Sequence, residues 1–209
     1  MTSRFARLTE QELSAAGEVL GRAFFDDPLV VFVEPDDELR GRWLPWAMTQ
    51  QTAHYRESYG EVYRTPGRLE GVALWRFIGQ PKEEGKSETP SWLDELPARL
   101  GKPAYERWIA ATTPPTDLHE RDMPTPHCYL EVIGVDPPCQ GRGLGDGLIA
   151  PILARADRDR LPCYLLTHKA GNVSFYQKYG YDVCVEDDIP NGGLRYWTMR
   201  REPRSGDEA

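Results

Sequence analysis

No two cysteines in this chain stand at the C-x-x-C spacing of a zinc knuckle or a redox motif. Cys128, Cys139, Cys163 and Cys184 are far apart, which reads as small buried hydrophobes rather than metal ligands or disulfides. The four histidines are equally scattered, so no metal site is expected. No apolar run approaches the roughly 20 residues a membrane helix needs. The start, Met1-Thr2-Ser3-Arg4-Phe5, lacks the apolar core of a secretion signal. A cytoplasmic protein with no membrane partner is expected. Basic residues are in deficit, 25 against 33 acidic, for a net charge of −8 and a pI near 5.1. Nucleic-acid binders carry basic stripes, so that partner class is not expected. An acidic protein suits a cationic small partner such as an amine. No internal repeat and no Walker loop occur, since no Lys-Ser/Thr follows the glycines. With 209 residues, 40% hydrophobic and 28% charged, the chain can bury one substantial core.

What is present centres on Val135-Asp136-Pro137-Pro138-Cys139-Gln140-Gly141-Arg142-Gly143-Leu144-Gly145. An apolar strand, Tyr129 to Val135, leads in, and a helix from Leu144 to about Arg160 leads out. Strand, glycine-rich turn, helix is how a chain builds an anion site. Free N–H groups at a helix start point outward, and the aligned dipoles favour negative charge. Glycine lets the backbone approach a phosphate with no Cβ in the way. Arg142 adds a permanently charged fork. The glycines fall at 141, 143, 145 and 147, which is not the dinucleotide G-x-G-x-x-G, and Asp146 would be a poor neighbour for a pyrophosphate.

Around this stretch the pattern predicts a strand over 3–8. A capping box at Thr9 and Glu12 opens a helix ended by Asp26-Asp27-Pro28. An irregular apolar segment, 29–35, follows. Next come a helix from Asp36 or Asp37 to Tyr59, interrupted or kinked at Pro45, a break at Gly60, and antiparallel strands over 61–64 and 71–78. Residues 79–126 differ in kind: a polar run from Gln80, short helices over 91–100 and 103–112, and prolines thereafter. They read as an insertion of the sort that can cover a site. The strand 128–135 is apolar on both faces apart from Glu131. Its parity puts Glu131 with Tyr129, Ile133 and Val135. Pro151 should kink or split the long helix. A strand over 161–167, a helix over 172–179 capped by Gly180, a strand over 181–186, a turn over 187–193 and a strand over 194–200 complete one domain, 1–201. A polar tail, 202–209, follows.

Two motifs carry a resemblance. Val135, Pro137, Gln140, Gly143 and Gly145 fit V-x-P-x-x-[Q/R]-x-x-G-x-[G/A]. Asn172, Phe175, Tyr176, Gly180 and Tyr181 fit N-x-x-[F/A]-Y-x-x-x-G-[F/Y]. Together they resemble the two signatures of the GCN5-related N-acetyltransferases, and the match covers residues 128–200. The ending, Pro190, Gly192, Gly193, Trp197, Met199 and Arg201, looks like the puromycin N-acetyltransferase group.

The resemblance implies an α/β (α+β) fold: a mixed, mostly antiparallel sheet of about six to seven strands flanked by helices, with a splayed central pair. It implies acetyl-CoA as co-substrate and a primary amine, of a small molecule or a peptide, as acceptor, in a monomer or homodimer. Gln140, Gly141, Arg142, Gly143, Leu144 and Gly145 would hold the CoA pyrophosphate. Ile133 and Val135 would offer backbone partners to the pantetheine arm, and Asn172 would contact the cofactor near that arm. Tyr176 would sit beside the sulfur. A tyrosine near pKa 10 stays protonated at neutral pH and can donate as a thiolate near 8.5 leaves. Glu131, a carboxylate in an apolar strand, reads as a base with a raised pKa, or as half of an ion pair, or as an ammonium anchor. Asp26, Asp27 and His168 are further options for handling the amine. A non-catalytic acyl-CoA sensor is the alternative reading of the same motifs.

Overall fold

Capped helices and apolar strands alternate through the computed structural model, which describes residues 5–59, 61–79, 90–123, 126–190 and 192–204. The expectations placed on Gly60, the polar run 80–89, Pro124-Thr125, Asn191 and the ends 1–4 and 205–209 lie outside the described residues. The strands are β1 (Ala6–Arg7), β2 (Val62–Arg64), β3 (Gly71–Ile78), β4 (His127–Val135), β5 (Cys163–Thr167), β6 (Asp182–Asp188) and β7 (Arg195–Arg201). They form one seven-stranded sheet in the order β1-β2-β3-β4-β5-β7-β6. Every neighbouring pair is antiparallel except β4 and β5, which are parallel. The helices are α1 (Leu13–Ala23), α2 (Pro28–Val33), α3 (Asp37–Ser58), α4 (Leu96–Leu100), α5 (Lys102–Asp122), α6 (Leu144–Arg158) and α7 (Ala170–Gln177). The mixed, mostly antiparallel sheet flanked by helices is therefore the fold the motifs implied.

The parallel pair is short. β4 and β5 pair only from Cys128↔Cys163 to Leu130↔Leu165, although β4 continues to Val135 and β5 to Thr167. Past Leu130 the two strands part, and the sheet is open at its centre.

The sheet is covered on both faces. Trp75, Cys128, Leu130 and Met199 pack against Leu148, Ile149 and Ile152 of α6. Val72, Leu74 and Val132 pack against Leu20 of α1 and Tyr55 of α3. Burial of this apolar surface is the main favourable term in holding the layers together. The α1–α3 contact needs glycine: a Cβ at Gly17 would lie 1.8 Å from Thr49 Oγ1 and 2.8 Å from the Pro45 carbonyl oxygen.

Several local expectations change. Residues 28–33 are not irregular but helical, because Asp27 caps them: its carboxylate accepts from the Leu29 N–H at 3.0 Å, and Pro28 occupies the first turn. The residues read as a stop for one helix are also the start of the next. The helices are not split at their prolines. α3 runs through Pro45, α6 through Pro151, and α5 through Pro114 and Pro115 rather than ending near Thr112. A proline costs about 3 kcal/mol locally, while α6 alone buries six side chains or glycines against the sheet. In α5, the Thr112 and Thr113 hydroxyls also donate to the carbonyls of Trp108 and Ile109, each at 2.9 Å. Cys128 and Cys163 are buried as expected, but Cys139 is half-buried and Cys184 exposed.

Candidate active site

The loop after β4 presents backbone. Gly141 and Gly143 both take positive φ, 74° and 75°, a region that costs a side-chain-bearing residue energy. Gly143 is the N-cap of α6 and makes no side-chain cap, so the first N–H groups of the helix are left for an outside partner. Gln140 to Gly143 are exposed, and Leu144 and Gly145 half-buried. The Gln140 amide donates to the Val135 carbonyl at 3.0 Å and folds the loop back on its strand. Arg22 of α1 holds Asp136 at 3.0 and 2.7 Å, and this guanidinium keeps the Asp136 carboxyl below its usual range. Arg142 is exposed, 3.6 Å from Glu70. Asp146 accepts a hydrogen bond from the Tyr179 hydroxyl.

A cavity of about 630 Å³ lies where β4 and β5 part. Ile133, Asn172 and Tyr176 line it at the splay. The Asn172 amide donates to Thr167 Oγ1 at 3.1 Å, tying α7 to the end of β5. Tyr176 is 5% exposed. Burial, and then the charge of Asp27, push its phenol well above the usual range, so it stays protonated. Asp27 lines the same cavity, and burial raises its own pKa. The residues expected from the sequence therefore divide: Glu131, Ile133, Asn172 and Tyr176 share the cavity, while the loop residues from Gln140 to Gly145 stand at the α6 N-terminus.

Glu131 differs from expectation in two ways. First, the β3–β4 ladder pairs Leu74 with Val132 but Trp75 with Leu130, so Glu131 is an extra residue, a β-bulge. One inserted residue moves everything after it to the opposite face. Ile133 and Val135 pack toward the α6 side with Leu130, not on the face of Tyr129, so the uniform parity read from the sequence fails at this point. Second, Glu131 is not alone. Arg76 Nη2 lies 3.1 Å from it, the Tyr55 hydroxyl donates to it, and the Gln51 amide donates at 3.3 Å. Burial alone would lower the Arg76 pKa, but Glu131 and the surrounding phenols more than offset this and raise it. Burial, then the Glu131 charge, raise Tyr55. Of the three meanings weighed for Glu131, the ion pair is the one with a partner in place.

Sequence reasoning missed Arg76, Tyr55 and Gln51. The signal was there for Arg76: it is a lone cation in the apolar strand Gly71–Ile78, as Glu131 is a lone anion in its neighbour. Two unlike charges in adjacent buried strands call for each other.

Three histidines, His168, His119 and His127, also line the wall. His168 is 8% exposed, and burial lowers its pKa to about 4. Its Nδ1–H donates to the Arg195 carbonyl at 3.2 Å, and its Nε2 has no hydrogen-bond partner among the described residues. His119 and His127 meet Nε2 to Nε2 at 2.6 Å, one donating to the other. Burial, His127 and Arg76 lower His119 to about 4. Among the described residues, no group of three His, Cys, Asp or Glu is placed to hold a metal.

The insertion forms the opposite wall. Arg107 of α5 donates to the Val33 carbonyl at 2.9 Å. Leu96, Leu100 and Ala104 pack with Val33, Trp43, Trp46, Trp92 and Trp108. Trp43, Trp92 and Trp108 face the cavity.

The acetyltransferase (GNAT) domain family matches residues 119–203, from the end of α5 through β7. An uncharacterized N-acetyltransferase of Schizosaccharomyces pombe is 28% identical over 97% of this chain and 85% of its own length. Residues 119–203 thus carry the acetyltransferase (GNAT) domain. This acetyltransferase shares its fold with a histone acetyltransferase HPA2-related protein of Corynebacterium glutamicum, at a TM-score of 0.72 and 20% identity over 98% of both chains. It also shares it with arylalkylamine N-acetyltransferase 2 of Aedes aegypti, at 0.68 and 16% identity over 96% of this chain and 99% of that one.

Proposed function

We propose that the protein transfers the acetyl group of acetyl-CoA to a primary amine, of a small molecule or a peptide, by direct attack in a ternary complex. The observation that carries this is the opening between β4 and β5, with uncapped α6 N–H groups at one end and a cavity holding Tyr176 at the other. We read residues 1–201 as one catalytic domain, with 79–126 inserted to build the acceptor wall.

Acetyl-CoA supplies an activated thioester; the protein's residues bind, orient and move protons. Backbone N–H groups from Gln140 to Gly145 take the pyrophosphate, where the α6 dipole favours negative charge, and Arg142 adds a cation. β4 past Leu130, with Ile133 and Val135, offers strand backbone to the pantetheine arm, and Asn172 borders it from α7. Strand N–H groups here would stabilise charge developing on the carbonyl oxygen. Tyr176, kept protonated by burial, donates to the departing sulfur. The attacking amine must shed a proton. Asp27 sits in the cavity within electrostatic reach of Tyr176, and burial raises its pKa, so it suits binding that ammonium and taking the proton it sheds. Glu131, held by Arg76, Tyr55 and Gln51, borders the amine's path as half of a structural ion pair.

Amine-dependent release of the CoA thiol, with the N-acetylated product seen by mass, tests the reading. Acetyl-CoA binding without turnover on any amine would reassign the chain to acyl-CoA sensing.

A further inference from the structure

We infer that the acceptor is a small primary amine carrying an aromatic ring on a short chain, with the ring seated against Trp92 and Trp108 of the insertion and Trp43 of α3. This rests on the transferase reading above. The cavity is polarised. At the splay it has Asp27, Tyr176 and the paired Glu131; at the far end it has indole rings and Leu96. Arg76 is already committed to Glu131 and lies over the Tyr129 ring at 4.8 Å, so Asp27, within electrostatic reach of Tyr176, is the carboxylate at the splay that faces an incoming ammonium, while Glu120 lines the cavity from α5. An amine drawn to Asp27 leaves its body against the tryptophans, where ring faces bury well and pair edge-on or offset.

Size argues the same way. Cavities for small ligands run about 300 to 1,000 Å³. Ile133, Thr167 and Asn172 line the present one, so part of its 630 Å³ belongs to the acyl end. What remains suits one ring system and a short linker. A peptide would bring a backbone whose N–H and C=O groups each need partners. The tryptophan wall supplies none beyond indole N–H, and those of Trp43 and Trp92 are buried behind the surface.

The wall is held in place rather than draped. Trp108 stacks on Tyr105 at 6.0 Å, and Trp92 meets Trp46 edge-on at 6.1 Å. Such fixed rings can select a shape.

The test compares phenethylamine, spermidine and an alanine-initiated tetrapeptide as acceptors of the full-length enzyme, alongside Trp108→Ala. Calorimetric titration of phenethylamine into the enzyme–CoA complex adds a readout that needs no turnover. The expected result is a kcat/KM for phenethylamine about tenfold or more above the other two, and a KM for it raised about tenfold in Trp108→Ala with the KM for acetyl-CoA within about twofold. A higher kcat/KM for the tetrapeptide or spermidine overturns the inference and leaves the transferase reading standing. Phenethylamine binding that Trp108→Ala abolishes, with no turnover on any amine, supports the aromatic seat and overturns the transferase reading. If Trp108→Ala does not fold, Trp92→Phe and the wild-type acceptor ranking decide alone.

Discussion

At the α6 end of the cleft, the proposed binding groups are backbone N–H groups offered by Gly143, Leu144 and Gly145. At the α3–α5 end they are side chains: a carboxylate–guanidinium pair, buried histidines and three indoles. The first kind of site is built within about ten consecutive residues. The second draws on α2, α3, β3, β4 and the insertion, elements as far apart in the chain as Gln51 and Glu131. A backbone site is set by conformation and breaks when a dihedral is forced. A side-chain site is set by partnership and breaks when one partner is removed.

The largest test of that difference is Arg76→Ala. It strands Glu131 in a mostly buried position among Tyr55, Tyr129 and Gln51, where both partners are only about a quarter exposed. The expected loss is about 3 kcal/mol of unfolding free energy, the low end for breaking a buried pair. Removing both charges, Arg76→Ala with Glu131→Ala, should recover most of it. Urea unfolding measures both, and the KM for acetyl-CoA should barely move. If that KM shifts as far as stability does, the two ends of the cleft are one coupled site and the contrast fails.

Acid should separate the ends next. His168 titrates near 4 in the folded protein against an ordinary value of 6.5. Between those values the unfolded chain binds a proton that the folded one refuses, so stability rises with pH. Its contribution is complete above 6.5 and is lost as pH falls toward 4. At pH 5 the loss is about 2 kcal/mol from this residue. Melting temperature followed from pH 7 to 5 should fall, and His168→Asn should flatten the slope. An unchanged slope would mean that His168 takes up its proton without cost.

Legibility in the sequence followed the same division. Glycine spacing, helix starts and the Asn172-to-Tyr181 motif are local, so the loop, α7 and the seven strands could be read in order. The splay could be placed because the motifs bracket it. Long-range partnership could not. Nothing near Glu131 in the chain announces Tyr55 or Gln51, and the bulge that turns Ile133 away from Tyr129 depends on how β3 aligns, with Leu74 and Trp75 flanking the skipped residue. Prolines 45, 114, 115 and 151 misled for the same reason: local cost was visible, and the burial that outweighs it was not. The insertion's tryptophans could be seen but not aimed.

Between the two ends stands Tyr176, whose backbone belongs to α7 and whose phenol faces the cavity. Tyr176→Phe should lower kcat about tenfold or more, about 1.4 kcal/mol of barrier, and leave the KM for acetyl-CoA within about twofold. A kcat unchanged in a thiol-release assay would keep the enzyme and remove the acid.

The smallest expected effect is also the cleanest probe of the backbone end. A methyl group at Gly143 would meet Asp146 Oδ2 at 3.4 Å, an ordinary contact, so space is not the difficulty. The difficulty is φ, at 75°, where a Cβ costs about 1 kcal/mol. Gly143→Ala should therefore tilt the α6 N–H groups and raise the KM for acetyl-CoA about fivefold, with the amine KM unmoved. Gly145→Ala is the matching control. Its Cβ would also stand 3.4 Å from its nearest neighbour, the Phe175 ring, but its φ is not positive. If the two substitutions raise the KM equally, contact and not conformation sets the loop, and the backbone account of the cofactor end is wrong.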